Sequence, residues 1–198
     1  MKINSDSIYF TTQEAPLERL LSKLRCARVG GVASGQRVLD FGCGQYGWNA
    51  IRIAENAMLV DGVDASLLTK KTLTEKVTLY PQLSDLPRQD YQLIVALAVF
   101  EHIPPFQLID VLAALDDVST QDALILGTVP TPSARPVLEF LSFKLGLIDP
   151  SQISDHWVYY DDLWLKEIVA RSPWRVKSYQ RFQFGMNSQF ILRKTDAC

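Results

Sequence analysis

The sequence contains few cysteines and few histidines. Three cysteines, Cys26, Cys43 and Cys198, and two histidines are spread over 198 residues, with no CxxC pair and no histidine at ligand spacing. An odd number of scattered cysteines argues against a disulfide framework, and the missing ligand pattern argues against a zinc site. We therefore expect a protein of a reducing compartment with no metal centre.

The sequence also lacks an excess of either charge and any long apolar run. Lys and Arg total 20 and Asp and Glu total 22, so the net charge is −2 and the chain has no positive field for collecting the phosphates of a nucleic acid. No apolar run approaches the ~18 residues of a membrane span, and the first residues lack the apolar core of a signal peptide. We expect a cytoplasmic protein with neither a membrane span nor a nucleic-acid partner.

What is present is the pattern of one α/β domain. Hydrophobic residues make up 47% of the chain, and helical and strand-like segments alternate, which is typical of βαβ units around a mainly parallel sheet. An N-terminal helical extension is expected over about 1–34, and a lid-like insertion over about 130–160. Strands are predicted at 37–41, 58–63, 77–80, 93–99, 123–129, 175–184 and 188–193, and helices from 47, over 67–76, from 104 and over 161–171.

A glycine-rich loop follows the first predicted strand. The run from Asp40 to Gly47, DFGCGQYG, places three glycines between a strand and a helix, where the absence of a Cβ lets a ligand approach the backbone. The spacing is also GxGxxG, the dinucleotide fingerprint, and Asp64 follows Gly44 by 20 residues, where an acid that binds ribose hydroxyls is expected. The loop therefore predicts a nucleoside-type cofactor.

Asp40 distinguishes between the possible cofactors. A carboxylate two residues before the first glycine would repel the pyrophosphate of a dinucleotide, and no Lys or Arg lies between Asp40 and Ala50. S-adenosylmethionine has no phosphate and carries a sulfonium and an ammonium group, which an acid attracts. The local charge therefore favours S-adenosylmethionine.

These motifs resemble a known family. The run from Asp40 to Gly47, with Asp64 in VDGVDAS, is similar to the first two motifs of the class I S-adenosylmethionine-dependent methyltransferases. YQLIVALAVFEHIP resembles the family's fourth strand and FQFGMNSQFILRK its closing antiparallel hairpin, so the resemblance covers about 35–194. It implies a single Rossmann-like, doubly wound α/β domain with seven mostly parallel strands, the last antiparallel.

The resemblance also implies roles for residues at the strand ends. The loop would surround the methionine part of the cofactor, and Asp64 would bind the ribose. Ala65 and the turn of Leu83 and Ser84 would hold the adenine. The end of the fourth strand would line the methyl-transfer channel. The implied cofactor-binding residues are Asp40, Gly42, Cys43, Gly44, Gly47, Asp64, Ala65, Leu83, Ser84, Ala96, Leu97 and Ala98.

Two positions depart from the family pattern. Gln82 stands near the place of the usual acid after the third strand, with Asp85 displaced, and Tyr91-Gln92 replaces an aromatic-Asp pair, with Asp90 one place earlier. The first departure affects the expected adenine contact. The second affects a position that is commonly structural.

Candidates for the methyl acceptor lie after the fourth strand and in the insertion. Glu101, Tyr159 and Tyr160 are predicted to bind the acceptor. His102 and His156 are candidates for a general base, since the pKa of histidine is near neutral; the alternative for His102 is capping or tethering the next helix. Because alignment supplies most of the acceleration in methyl transfer, a base is not required.

The sequence thus predicts methyl transfer from S-adenosylmethionine to a small or medium acceptor, on oxygen, by direct displacement. The acceptor would be sugar-like or glycan-like, or a secondary metabolite. Two alternatives stay open. One is a nicotinamide-dependent oxidoreductase that uses the same GxGxxG spacing, and the other is a non-catalytic, methyltransferase-like binding subunit.

Overall fold

One eight-stranded sheet organises the protein, which we describe from a computed structural model over residues 23–29, 31–136 and 157–195. The strand order is β3-β4-β2-β1-β5-β6-β8-β7. The strands are β1 (Arg37–Phe41), β2 (Leu59–Val63), β3 (Lys71–Thr74), β4 (Val77–Tyr80), β5 (Tyr91–Leu97), β6 (Ser119–Pro130), β7 (Trp174–Phe182) and β8 (Asn187–Lys194).

The five central strands are parallel. β1 pairs with β2 and β5, β2 with β4, and β5 with β6, all in the parallel sense, whereas β3 at one edge and β8 near the other pair antiparallel with their neighbours. The carboxyl ends of β1, β2, β4, β5 and β6 consequently meet at one edge of the sheet, where ligands bind in open α/β sheets. The doubly wound, mostly parallel sheet predicted from the sequence is confirmed.

Helices cover both faces of the sheet. Helix α1 (Trp48–Ile53) packs through Ala50 and Ile53 on one face, and α2 (Pro105–Asp117) and α3 (Asp162–Val169) pack on the other. Proline at the first position suits the start of α2, and Asp161 caps α3 by accepting the Trp164 N–H at 2.8 Å. Within the described ranges no helix is both long enough and apolar enough to cross a membrane.

The predicted helix over 67–76 is wrong. The chain instead forms the antiparallel hairpin of β3 and β4, which raises the number of strands from the expected seven to eight. β-branched residues such as Thr72 and Thr78 favour a strand, and Leu73 packs its side chain toward Gly47 at the start of α1. The hairpin thus gains cross-strand pairing that a helix here would not make.

The second departure from the family pattern has a structural explanation. Arg37 at the start of β1 forms an ion pair with Asp90 at 2.9 Å, and its backbone N–H donates to the Gln92 side chain at 3.1 Å. Tyr91 donates its hydroxyl to buried Asp61 on β2 at 2.7 Å. The beginning of β5 is therefore anchored to β1 and β2 without the family's usual acid.

Two predicted segments lie largely outside the described residues. Of the N-terminal extension over 1–34, the residues at 23–26 are helical. Of the insertion over 130–160, the structure describes a short 3₁₀ turn at Pro132–Ala134 and the approach to α3 from residue 157. The division of the chain into extension, domain and insertion stays a prediction.

Candidate cofactor and acceptor site

The glycine loop is fixed against the end of β2. The backbone N–H groups of Gly42 and Cys43 both donate to the Val63 carbonyl, at 2.8 and 3.2 Å. Gly42 has φ +79°, and a Cβ there would overlap the Val99 side chain just after β5. Glycine at 42 is therefore required both by its conformation and by the close approach of the segment that follows β5.

Asp64 fixes the glycine loop through hydrogen bonds of its carboxylate. Its carboxylate accepts the Gly44 N–H at 2.7 Å and the Ser66 N–H at 2.9 Å, and the Ser66 hydroxyl also donates to it. Asp64 is itself held by its N–H, which donates to the Tyr80 carbonyl on β4. Sequence reasoning found the acid but not Ser66, although a serine two residues after an aspartate is a known local hydrogen-bonding pattern.

Gly44 faces open space. Its φ is +67°, and a Cβ built there would meet no atom within 4 Å. Beside it lies a cavity of about 210 Å³. Tyr46, Trp48 and Asn49 also line this cavity, and they were not singled out from the sequence, because their orientation depends on how the loop turns into α1.

Asp40 lies beneath the loop and is almost completely buried, with 1% of its surface exposed. It accepts a hydrogen bond from the Ala50 N–H in the first turn of α1, but burial, and secondly the charge of Asp64, raise its pKa to about 7. One oxygen, Oδ2, is buried and has no hydrogen-bond partner among the residues that the structure describes. A buried carboxylate of this kind would be stabilised by a cationic ligand.

Cys43 occupies the centre of the loop but is inaccessible. It is 6% exposed, and a Cβ on Gly62 would approach its Sγ to 2.7 Å, so the thiol packs directly against β2. Burial raises the pKa of this thiol, which keeps it protonated. Cys43 therefore has a packing role in this loop rather than that of a nucleophile.

The adenine and channel positions lie at neighbouring strand ends. Leu83 and Ser84 form a 3₁₀ turn after β4 with Asp85, whose carboxylate accepts the Gln82 side-chain amide at 3.1 Å, and Ala65 is exposed beyond β2. Ala96 and Leu97 are buried within β5. Ala98 is part-exposed and has φ +57°, and its N–H donates to Thr128 on β6.

A second buried polar group lies after β5. Glu101 is 1% exposed, burial raises its pKa to about 7, and the positive charge of Arg25 opposes that rise. Among the described residues, its Oε2 atom and the hydroxyl of fully buried Tyr160 both lack a hydrogen-bond partner. The negative charge of Glu101 adds to the burial that raises the pKa of Tyr160, so the charge of Glu101 acts at the Tyr160 hydroxyl.

The remaining acceptor candidates are distributed around this pair. The Trp157 N–H donates to the Glu101 carbonyl at 2.8 Å, which brings the segment of Tyr159 and Tyr160 against the end of β5. His102 is half-buried in the 3₁₀ turn Phe100–His102. His156 lies outside the described residues, so its proposed role stays a prediction.

The residues at the loop fit S-adenosylmethionine. An open face at Gly44, an acid at the ribose position and a buried acid with an unpartnered oxygen match a nucleoside that carries cationic groups. No arginine or lysine lies in the loop to hold a pyrophosphate. The fold is that of a class I S-adenosylmethionine-dependent methyltransferase.

A comparison with protein families gives the same assignment. Residues 12–184 match the family model described as a methyltransferase domain. The chain belongs to this family, and S-adenosylmethionine is its cofactor. No curated protein matches the chain in sequence.

Solved structures share the fold at low sequence identity. The Burkholderia thailandensis 1,6-didemethyltoxoflavin-N1-methyltransferase, solved with its substrate and S-adenosylhomocysteine, is 15% identical with a TM-score of 0.65, over 99% of each chain. The magnesium protoporphyrin IX methyltransferase of Synechocystis PCC 6803 is 15% identical with a TM-score of 0.60, over 94% of this chain and 91% of that one. The pyocyanin biosynthetic protein PhzM is 13% identical with a TM-score of 0.65, over 88% of this chain and 55% of that one.

Proposed function

We propose that the protein transfers a methyl group from S-adenosylmethionine to an oxygen of a small or medium acceptor, sugar-like or glycan-like or a secondary metabolite, by direct displacement. The observation that supports this proposal is the glycine loop. The Asp64 carboxylate accepts the Gly44 N–H of this loop at 2.7 Å, and the buried acid Asp40 lies at its start. The similar proteins whose names state a substrate act on small molecules, including 1,6-didemethyltoxoflavin and magnesium protoporphyrin IX.

The protein's own residues would bind and orient the two reactants. S-adenosylmethionine supplies a methyl group on a sulfonium, already a strong electrophile. Asp40 would balance the positive charge of the cofactor. Asp64 would accept hydrogen bonds from the ribose hydroxyls, and the open face at Gly44 would leave room for the ligand. Leu83 and Ser84 would border the adenine, and Ala98 would face the transferred group.

The acceptor would bind at the buried pair of Glu101 and Tyr160. Both present a polar atom without a hydrogen-bond partner in the part of the chain that the structure describes, and such atoms are uncommon in protein interiors. A hydroxyl acceptor would donate its proton toward the Glu101 carboxylate and accept from the Tyr160 phenol. Glu101 then joins His102 as a candidate for a general base, since burial raises the pKa of Glu101 to about 7, which suits that task.

The two alternatives raised by the sequence lose support. Family membership decides against an oxidoreductase. The departures at Gln82 and Gln92 had suggested a non-catalytic subunit. Gln92 accepts the Arg37 N–H and so joins the starts of β5 and β1, and Gln82 donates to Asp85 within the turn after β4.

Ligand-linked stability tests the proposal. We expect S-adenosylmethionine and S-adenosylhomocysteine, at ~100 times their dissociation constants, to add about 2.7 kcal/mol of stability and so several degrees to the melting temperature. Reduced nicotinamide dinucleotide should add nothing. Asp64→Ala should abolish the shift, whereas Asp85→Asn, an exposed acid on the next strand end, should preserve much of it.

Release of S-adenosylhomocysteine then measures turnover against a panel of hydroxyl, amine and carbon acceptors. Stabilisation by the dinucleotide alone, or by no ligand, would contradict the proposed cofactor site. Methylation of amines but not of hydroxyls would correct the proposed oxygen target and leave the cofactor site standing.

A further inference from the structure

A surface of exposed aromatic, aliphatic and basic side chains borders the cofactor loop. Trp48 is 52% exposed, Tyr46 46% and Leu68 95%. The rings of Tyr46 and Trp48 lie 6.2 Å apart. Lys70 and Lys71 follow Leu68 and complete the set, which we call the loop surface.

The parts of the loop surface adjoin one another. The Lys71 ammonium lies 5.9 Å from the centre of the Tyr46 ring, which connects the glycine loop to the start of β3. A cavity of about 440 Å³ lies between the glycine loop and the segment that follows β2. It is lined by Gln45 on one side and by the chain from Ser66 to Lys71 on the other. Leu68 therefore protrudes beside this cavity, two residues before Lys70.

The charge of the loop surface is positive. Lys70 lies 5.2 Å from the centre of the Tyr80 ring, and within the residues described neither Lys70 nor Lys71 forms an ion pair. The nearest acid in sequence, Asp64, directs its carboxylate to Gly44 and Ser66. The positive charge of Lys70 acts on the buried carboxylate of Asp61, which Arg88 also approaches at 3.6 Å, so no exposed acid among the described residues pairs with either lysine.

This combination matches the boundary between water and an anionic membrane. Tryptophan and tyrosine rings favour the headgroup region, a protruding leucine gains by entering the acyl boundary, and lysines are attracted to anionic headgroups. A nucleic acid would require more cations than two lysines. The hairpin that replaces the expected helix is what places Lys71 beside Tyr46.

We propose that the loop surface docks the protein reversibly on an anionic lipid surface, with Leu68 inserted and Lys70 and Lys71 on the headgroups. The mouth of the cofactor loop would then lie close to the membrane. This proposal is independent of the identity of the methyl acceptor.

Vesicle co-sedimentation of the full chain tests the proposal. We expect binding to vesicles of phosphatidylcholine with added phosphatidylglycerol, weakened by salt, and little binding to phosphatidylcholine alone. Leu68→Ser should lower the vesicle partition coefficient about tenfold. In a variant that carries both Lys70→Gln and Lys71→Gln, each lost lysine should lower the same coefficient about fivefold.

Matched variants control for general effects. Met58→Ser removes an apolar side chain that is 56% exposed and lies where β2 begins, away from the carboxyl ends of the strands. Lys166→Gln removes an exposed lysine on α3. Both should bind vesicles like the wild type. Unchanged melting temperatures by circular dichroism would show that every variant is folded. The vesicle-binding assay contains no cofactor, so its result does not depend on cofactor binding.

Three outcomes would overturn the proposal. The first is no binding to the anionic vesicles, and the second is an equal loss of binding in Met58→Ser and Leu68→Ser. The third is displacement of the protein from vesicles by soluble glycerol 3-phosphate, which would make the cavity a site for a free anion. Retained vesicle binding without any response to S-adenosylhomocysteine would contradict the proposed function alone.

Discussion

Tyr160 and Tyr91 are both completely buried, but their hydroxyls are in opposite situations. The Tyr91 hydroxyl donates to Asp61 at 2.7 Å, whereas the Tyr160 hydroxyl has no hydrogen-bond partner within the described ranges. An unsatisfied buried polar group costs about 1–3 kcal/mol, and removing one half of a satisfied pair costs a similar amount. The same substitution at the two tyrosines should therefore change stability in opposite directions.

We expect Tyr160→Phe to raise the melting temperature and Tyr91→Phe to lower it. For a chain of this size about 1 kcal/mol corresponds to about 2–4 °C, which differential scanning calorimetry resolves. Tyr160→Phe should also weaken turnover without weakening S-adenosylhomocysteine binding. A lower melting temperature in Tyr160→Phe would mean that the hydroxyl is satisfied in solution and would remove the main support for an acceptor subsite there.

The glycine loop is the element on which the proposed function depends most. Its glycines differ in surroundings although all have positive φ: a Cβ at Gly42 would overlap Val99, and one at Gly47 would come within 2.8 Å of Leu73, whereas Gly44 faces open space. Packing inside the protein therefore requires Gly42 and Gly47, and room for a ligand requires Gly44.

This difference gives a paired prediction. Gly42→Ala should destabilise the fold by more than the about 1–2 kcal/mol of left-handed strain alone, because Val99 must also move. Gly44→Ala should cost only about that strain but should weaken S-adenosylhomocysteine binding at least tenfold. Urea unfolding and calorimetric titration of both variants measure the two effects, and the pairing is wrong if Gly44→Ala binds the cofactor normally.

Most elements were predictable because their signals are local. The apolar run of β5, Pro105 at the start of α2 and the glycines after β1 each specify structure within a few residues. The β3–β4 hairpin was not predictable in this way, since 67–76 has leucines compatible with a helix and acquires its strands only by pairing with 77–80.

The same distinction applies to the site. Asp40, Gly44 and Asp64 follow from a spacing, so the sequence identified them. The approach of Tyr160 to Glu101 joins residues far apart in sequence through the packing of α3 and the Trp157 hydrogen bond. Nor does any sequence pattern show that an oxygen of each residue would be left without a partner.

At the scale of the whole molecule, Asp40 and Glu101 make stability depend on pH. Burial raises the pKa of each to about 7, above the ordinary values of about 4 in an unfolded chain. Between those values the folded state binds more protons than the unfolded state, so these two groups lower the free energy of unfolding as pH rises from about 4 to 7. Above pH 7 their contribution is constant.

We expect Asp40→Asn to be more stable than the wild type at pH 8 in the absence of ligand, with the difference narrowing as pH falls toward 4. The same variant should bind S-adenosylmethionine more weakly, because the buried charge that it lacks is the one that meets the cationic cofactor. Glu101→Gln should share the first effect but not the second. Urea unfolding across this pH range and calorimetry at pH 8 check both, and equal cofactor affinity in Asp40→Asn and the wild type would contradict the role of Asp40.

The order of strands also determines how the chain reaches this fold. Residues that pair at the centre are far apart in sequence: Val38 of β1 opposes Leu93 of β5, and Leu124 of β6 opposes Arg193 of β8. Closing such long loops costs entropy before the contacts form, so sheets of this kind fold slowly, in milliseconds to seconds, whereas the β3–β4 and β7–β8 hairpins need only local closure. We expect the glycine loop to be completed late, once β5 has joined β1 and brought Val99 against Gly42, so S-adenosylmethionine should bind the folded protein rather than guide its assembly.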